Sequence, residues 1–371
     1  MSKTEKMLYT NDMTIDMRAL SANRLLDREE IRLDLEFVKG FLKDKTVLVT
    51  GGGGSIGSEL CRQIAKCDAR RLIVFDIYEN SAYYVHNELT STYPELDVVT
   101  LIGSVRDEVR VESIIAQYRP DVIYHAAAHK HVPLMENSPC EAVKNNVFGT
   151  LNVVRAADKH GVGRFILIST DKSVNPTSVM GATKRICEMI VQSYARTSKT
   201  EFSAVRFGNV LDSNGSVVPL FRRQIAEGGP VRVTHPDVSR YFMTIPEAVS
   251  LVLEAGVSAC GGEIFVLDMG EPIKIVTLAE KLIRLSGYEP YKDIMIEFTG
   301  LRPGEKLYEE LLMCEEGLTS TANRLIHIGK PIEFDEQKFF SNLEKLHGVV
   351  NDDGCDVRQY LKAIVPTYDY K

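Results

Sequence analysis

Thr170-Asp171-Lys172 places a carboxylic acid beside an amine, and Lys184 follows after Met180-Gly181-Ala182-Thr183. An adjacent acid and base can protonate one substrate atom while deprotonating its neighbour, which is what loss of water next to a carbonyl requires. Lys172 can act as the base only when neutral, so its ammonium must fall below the usual value of about 10.4 through burial or a nearby cation, for which Lys184 is the candidate. Asp171 needs the opposite shift to act as the acid. Thr170 is then a hydrogen-bonding partner for a substrate oxygen or for Asp171. The plainer alternative is a solvated salt bridge at a strand end.

A second constellation is Thr50-Gly51-Gly52-Gly53-Gly54-Ser55-Ile56-Gly57, between an apolar run and a helical pattern. Glycines 52, 54 and 57 fit G-x-G-x-x-G, whereas 51, 54 and 57 fit G-x-x-G-x-x-G, and Thr50 favours the second. In either register the missing side chains let backbone N–H groups and a helix N-terminus approach a pyrophosphate. A plain glycine turn is the alternative. Asp76 closes the next apolar run, where a carboxylate accepts from ribose hydroxyls and repels a 2′-phosphate. No arginine follows it in Ile77-Tyr78-Glu79, so the expected cofactor is NAD rather than NADP.

These groups need a scaffold that brings strand ends together. Apolar, β-branched runs at 46–50, 71–76, 98–102, 122–124, 164–169 and 202–206 alternate with helical stretches. That alternation predicts an α/β fold, a Rossmann doubly wound parallel sheet. Ligands bind at the carboxyl ends of such strands. After Asn209 glycine, proline and arginine become frequent, which predicts a smaller C-terminal mixed α/β substrate-binding lobe. The expected organisation is an arm or helical lead-in over 1–45, with a charged patch at 27–30 and a short helix over 35–42. An NAD-binding domain follows over 46–212, then a lobe over 213–345 with a segment near 241–268 returning to the sheet, and a C-terminal tail over 346–371.

Composition excludes several classes. The 371 residues are 44% hydrophobic and 26% charged with a net charge of -7, so a nucleic-acid surface is not expected. The seven cysteines, at 61, 67, 140, 187, 260, 314 and 355, are odd in number with no C-x-x-C pair, which argues for reduced thiols and no structural zinc. His125, His129 and His131 lack a second ligand cluster, so no metal is expected. No apolar run approaches the roughly 18 to 20 residues of a membrane span, and Met1-Ser2-Lys3-Thr4-Glu5-Lys6 opens no signal peptide. The expectation is a soluble cytoplasmic chain.

Further stretches carry a family resemblance: Gly103-Ser104-Val105-Arg106-Asp107, His125-Ala126-Ala127-Ala128, His129-Lys130-His131-Val132-Pro133-Leu134-Met135-Glu136, Asn145-Asn146-Val147-Phe148-Gly149-Thr150, Arg206-Phe207-Gly208-Asn209-Val210 and Leu301-Arg302-Pro303-Gly304-Glu305-Lys306. With the glycine run and Asp171-Lys172, they closely resemble the nucleotide-sugar 4,6-dehydratases among the extended short-chain dehydrogenases. More narrowly they resemble the UDP-N-acetylglucosamine 4,6-dehydratases of capsule and protein glycosylation, over about residues 35 to 345. Met180 stands where that superfamily has tyrosine in Tyr-x-x-x-Lys, and Lys184 keeps the lysine that binds nicotinamide ribose.

The resemblance implies hydride transfer from sugar C4 to NAD, loss of water across C5 and C6, and hydride return to C6. Lys172 would be the C5 base and Asp171 the C6 acid, with Thr170 on the C4 oxygen, and methionine at 180 resembles the C5-retaining type. It further implies that Ser104 and Val105 form the adenine loop, that Ala126 and Ala127 form a small-residue wall, and that Asn146 is the matching position of the helix after it. On the substrate side, Asn209 and Lys130 would face phosphate, Arg302 would bind pyrophosphate with Glu305 orienting it, Arg240 would line the pocket, and Val217 and Pro219 would lie near the base. A homo-oligomer through Rossmann helices is implied, with 1–45 as a free-standing arm against a neighbouring subunit. The alternatives are a nucleotide-sugar 4-epimerase, which needs no C5 base or C6 acid, and a catalytically idle NAD-binding scaffold.

Overall fold

A strand buried on both faces reads as a continuous apolar run, and the computed structural model turns each such run into a strand of one sheet. It describes residues 25, 26, 28, 31, 36–312, 317–329, 333–352 and 354–370. A lead-in helix α1 (Glu36–Leu42) precedes β1 (Thr46–Thr50), α2 (Ser55–Ala65), β2 (Arg71–Asp76), α3 (Glu79–Thr92), β3 (Asp97–Ile102), α4 (Glu108–Tyr118) and β4 (Val122–His125). The chain continues through α5 (Gly149–His160), β5 (Arg164–Ile168), α6 (Val179–Ala195) and β6 (Glu201–Arg206).

The second part comprises β7 (Asn209–Val210), α7 (Val217–Ala226), β8 (Val231–Val233), β9 (Ser239–Arg240), β10 (Phe242–Met243), α8 (Ile245–Ser258), β11 (Ile264–Leu267), β12 (Ile273–Lys274), α9 (Ile275–Leu285) and β13 (Ile296–Phe298). It ends in β14 (Leu318–Ser320), β15 (Ile326–Gly329), α10 (Glu336–Val349) and α11 (Arg358–Ile364).

The nine-stranded sheet runs β14-β15-β11-β6-β5-β4-β1-β2-β3. Its strands are parallel from β3 to β11, and β15 and β14 finish the edge antiparallel. The fold is therefore Rossmann-like and doubly wound. Alternate side chains leave β1 in opposite directions: Leu48 joins one apolar cluster with Ile123 and Phe165, while Val47 and Val49 join the other with Val74 and Tyr124. The chain leaves β1 for β2 on one side and reaches β4 on the other, so the strand order reverses there and a crevice opens at the carboxyl ends.

The smaller lobe has its own core, in which Phe221 and Val218 of α7 meet Leu278 and Ile283 of α9 and Val231 of β8. The parallel pair β8–β13 and the short β9–β12 pair complete it. Leu25 is fully buried in that same core. Arg28 donates two hydrogen bonds to Glu247 of α8, at 2.5 and 3.1 Å, and the Ile31 amide donates a third at 2.7 Å. The described part of 1–45 thus packs on its own chain, because Leu25 and the Glu247 carboxylate give it apolar and ionic partners there. That corrects the expectation of a free-standing arm, whose remaining residues, 1–24, 27, 29–30 and 32–35, lie outside the described ones.

Residues 346–371, expected as a tail, contribute the end of α10 and all of α11, whose Leu346, Val357 and Leu361 are buried with Tyr368 in the core around α6. Among the described residues no helix is long and apolar enough to cross a membrane. Cys61, Cys67, Cys187, Cys260 and Cys355 are free thiols, and Cys314 lies outside the described residues.

Candidate active site

The glycine loop is packed too tightly for side chains. A Cβ on Gly57 would lie 2.0 Å from the Gly51 carbonyl oxygen, so α2 can start beneath β1 only without one. No side chain caps that helix, and the first N–H groups of an α-helix have no intrahelical acceptor. The amides of Ser55, Ile56 and Gly57 therefore form a cradle suited to a pyrophosphate. Asp76 steadies the loop by accepting from the Gly53 amide at 2.8 Å and from Tyr78 at 2.8 Å. Gly57→Ala should cut affinity for the expected NAD cofactor by about tenfold or more in titration calorimetry, since the displaced loop can no longer present its amides.

Gly51, Gly54, Ser55, Ile56, Gly57, Ala126 and Lys184 line one cleft of about 630 Å³. Other expected cofactor residues stand behind or beside it. Thr50 shares a hydrogen bond of 2.7 Å with buried His125, whose other nitrogen meets Thr150 at 3.0 Å. Burial, with Lys184 nearby, pushes that imidazole down to about 3, so His125 is a neutral strut. Asn146 engages the His129 amide and carbonyl at 2.8 and 3.0 Å and Thr183 at 3.0 Å, so it holds the wall loop from behind. Ser104 accepts from the Arg106 amide at 3.2 Å, and Val105 is buried against Gly149. Ala127 sits so close to Gly51 that its amide nitrogen would lie 2.7 Å from a Cβ there.

The acid and base lie where β5 ends. Asp171 is fully buried, accepting from Thr170 Oγ1 at 2.9 Å and from Lys172 Nζ at 2.9 Å, both on Oδ1. Lys172 Nζ also donates to Asn209 Oδ1 at 3.0 Å and lies 3.9 Å from Glu309. Burial alone would pull the Lys172 ammonium down, but Asp171 and then Glu309 outweigh it and hold it above its ordinary value, with Arg240 opposing weakly. This corrects the expectation of a depressed Lys172 tuned by Lys184. The neighbouring cation is Arg240, while burial depresses Lys184, whose Nζ donates to the Ile168 carbonyl at 2.6 Å, and likewise Lys130. Met180 is buried at the cleft wall, and a Cβ on Gly181 would lie 2.2 Å from the Lys172 carbonyl, so α6 abuts the triplet directly.

Of the residues expected to bind substrate, Lys130, Asn209, Val217, Arg240, Arg302 and Glu305 all line the cleft. Pro219 does not, because α7 turns 217, 220 and 221 toward the cleft and 219 away. Arg240 donates to the Ser239, Leu307 and Lys306 carbonyls at 2.7, 3.1 and 2.7 Å, which clamps the loop carrying Glu305. Glu305 accepts from the Arg302 amide at 3.1 Å and from Thr234 at 3.0 Å, and pairs with Arg240 at 3.5 Å. It therefore fixes Arg302 through the main chain rather than through the guanidinium, which stays exposed.

Two further carboxylates, absent from the sequence expectations, support the site. Glu188, fully buried on α6, accepts from Ser169 at 2.6 Å and Ser173 at 2.8 Å, and from Arg206 and Arg185 at 2.9 and 3.0 Å. It thereby grips the residues on either side of Thr170-Asp171-Lys172. A lone acid inside the otherwise apolar stretch Ile186-Cys187-Glu188-Met189-Ile190 was a usable signal. Glu309, also buried, meets Lys172 and Arg240, and burial lifts its carboxyl above the usual range despite Lys172. Nothing in Leu307-Tyr308-Glu309-Glu310 distinguishes it from its exposed neighbour Glu310.

The comparisons agree with this layout. Residues 47–331, covering the sheet, the glycine loop, the Asp171-Lys172 pair and the Arg302 loop, match the polysaccharide biosynthesis protein family. The chain belongs to that family. It is 54% identical, over 85% of its length, to the capsular polysaccharide biosynthesis protein CapD of Staphylococcus aureus, and spans 53% of that protein. This chain thus covers about half the length of that curated relative. A UDP-glucose 4-epimerase of Rickettsia canadensis is 35% identical over 74% of this family member and 79% of its own chain. The inverting UDP-N-acetylglucosamine 4,6-dehydratase of Campylobacter jejuni is 32% identical over 73% and 78%. Among solved structures, Pen from Bacillus thuringiensis superposes with a TM-score of 0.72 at 36% identity, covering 78% of this chain and 88% of its own.

Proposed function

We propose that this chain is an NAD-dependent nucleotide-sugar 4,6-dehydratase acting on UDP-N-acetylglucosamine. The observation that carries the reading is the hydrogen-bonded Asp171–Lys172 pair at the cleft end of β5, which a 4-epimerase has no use for. NAD, when bound in the Ser55–Gly57 cradle, supplies the chemistry of taking hydride from sugar C4 and returning it to C6. Residues 46–212 would hold that cofactor and 213–345 mainly the nucleotide sugar.

The remaining chemistry belongs to the chain. Lys172 removes the C5 proton made acidic by the C4 ketone, and Asp171 protonates the C6 oxygen as it leaves in water. Thr170 supplies what Met180 cannot. Its hydroxyl already donates to Asp171, so it can accept from the C4 hydroxyl and pass that proton on. Asp171 thus gains at the oxidation step the proton it releases at C6. Lys172 returns its proton to C5, and from the same face C5 configuration is retained.

Turnover of UDP-N-acetylglucosamine in deuterated water, read by NMR, tests the reading. Deuterium at C5 with a new C6 methyl supports it, inverted C4 means an epimerase, and no turnover means an idle NAD-binding protein. Arg302→Ala should raise KM about tenfold to a hundredfold with kcat nearly unchanged, as expected for losing one charge-assisted bond to pyrophosphate.

A further inference from the structure

Beneath Lys172 a side pocket of about 180 Å³ opens off the cleft, with Lys172, Asn209, Arg240, Lys306 and Glu309 in its wall. Lys172 faces two buried carboxylates: Asp171 at 2.9 Å and Glu309 at 3.9 Å. Each keeps one buried oxygen, Asp171 Oδ2 and Glu309 Oε2, without a hydrogen-bond partner. A carboxylate oxygen shut away from water and from donors is costly when charged and much less so when protonated. The charged groups around Glu309 are Lys172, Asp171, Arg240 and Lys306. Arg240 lies 3.7 Å away, while Lys306 donates to the Val174 carbonyl at 3.0 Å and to Glu310 at 3.3 Å.

This arrangement answers a difficulty in the dehydratase reading, on which the inference rests. The base must be a free amine, yet the two carboxylates hold Lys172 as an ammonium. We propose that Glu309 is a positioning residue that converts Lys172 to the free amine by taking one of its protons. An N–H bond of Lys172 breaks, an O–H bond forms on Glu309, and no charge leaves the site. A water in the side pocket or a rotation of either side chain closes the 3.9 Å separation. The amine then takes the C5 proton, the C5–H electron pair forms the C5=C6 bond, and the C6–O bond breaks as Asp171 protonates the leaving oxygen. After Lys172 returns the C5 proton, Glu309 gives its own back.

The transfer conserves protons within the site, and this makes it testable. In the parent enzyme the active form has the same proton count as the resting form, so kcat is flat across neutral pH. Glu309→Gln removes the acceptor, and Lys172 must then lose its proton to solvent. The variant, assayed with NAD and UDP-N-acetylglucosamine, should lose about tenfold or more in C5 deuterium incorporation near pH 7, while the NADH absorbance from C4 oxidation stays within about twofold. Its kcat should rise about tenfold per pH unit between about pH 6.5 and 8.5, the signature of a single deprotonation. Glu309→Asp, which keeps a carboxylate, should restore the flat profile at a reduced rate. A Glu309→Gln profile parallel to the parent's, at any rate, overturns the inference and leaves the dehydratase reading intact. Parent protein that gives neither C5 deuterium nor a C6 methyl overturns both.

Discussion

Lys172→Ala is expected to abolish formation of the 6-deoxy product, by about a thousandfold or more, while hydride transfer from C4 still produces NADH absorbance on mixing with UDP-N-acetylglucosamine. The split follows from the geometry, since Lys184 and the Ser55–Gly57 cradle are intact and only the proposed C5 base is gone. Alanine also leaves Asp171 and Glu309 buried without their shared ammonium, at a cost of about 3–5 kcal/mol. Lys172→Arg separates the two effects. Guanidinium keeps the charge but never deprotonates at working pH, so this variant should fold like the parent and be equally inactive. Deuterium at the sugar C5 in either variant would show that another group is the base.

Glu188 should matter nearly as much, without touching substrate. Burial alone would raise its carboxyl, yet Arg206, then Arg185 and the hydrogen bonds from Arg206 and Ser169, bring it to about 2 from 4.5. A carboxyl depressed in the folded state stabilises the fold fully above its unfolded value and loses that contribution as pH falls through the folded one. The shift amounts to about 3 kcal/mol, present above about pH 4.5 and lost progressively toward pH 2. Glu188→Ala removes the buried carboxylate that Arg185 and Arg206 share and the acceptor that ties Ser169 and Ser173 to α6. It should cost about 3–5 kcal/mol in denaturant unfolding and lower kcat at least about tenfold, because the triplet between those serines is no longer held. An unchanged unfolding midpoint at pH 7 would refute the assignment.

What could be read from the chain was what the chain itself makes local. Parallel strands buried on both faces announce themselves as apolar runs, so β1 to β6 were legible, as were the glycines and Asp76 that follow β1 and end β2. Asp171 and Lys172 are neighbours in sequence, and their proximity needed no fold. The direction at Lys172 was only half legible: Asp171, which does most to hold the ammonium, is its neighbour in sequence, but Glu309, which adds to it, and Arg240, which opposes it, arrive from beyond residue 239. Glu305 was paired with the right residue through the wrong atoms, since an amide and a guanidinium are indistinguishable in a sequence. Short strands such as β14 and β15 carry too few apolar residues to stand out, and Leu25 could not reveal which core would accept it.

The segment carrying Leu25, Arg28 and Ile31 ties the two halves of the molecule together. Leu25 is anchored in the small lobe's core, and three residues later Arg28 grips α8, a helix packed against the sheet. Widening the cleft would have to separate these two anchors, so the link opposes opening in the free protein and lowers the entropy lost when a ligand bridges the walls. Cutting this strap between its anchors should therefore weaken nucleotide-sugar binding through residues that never approach the ligand.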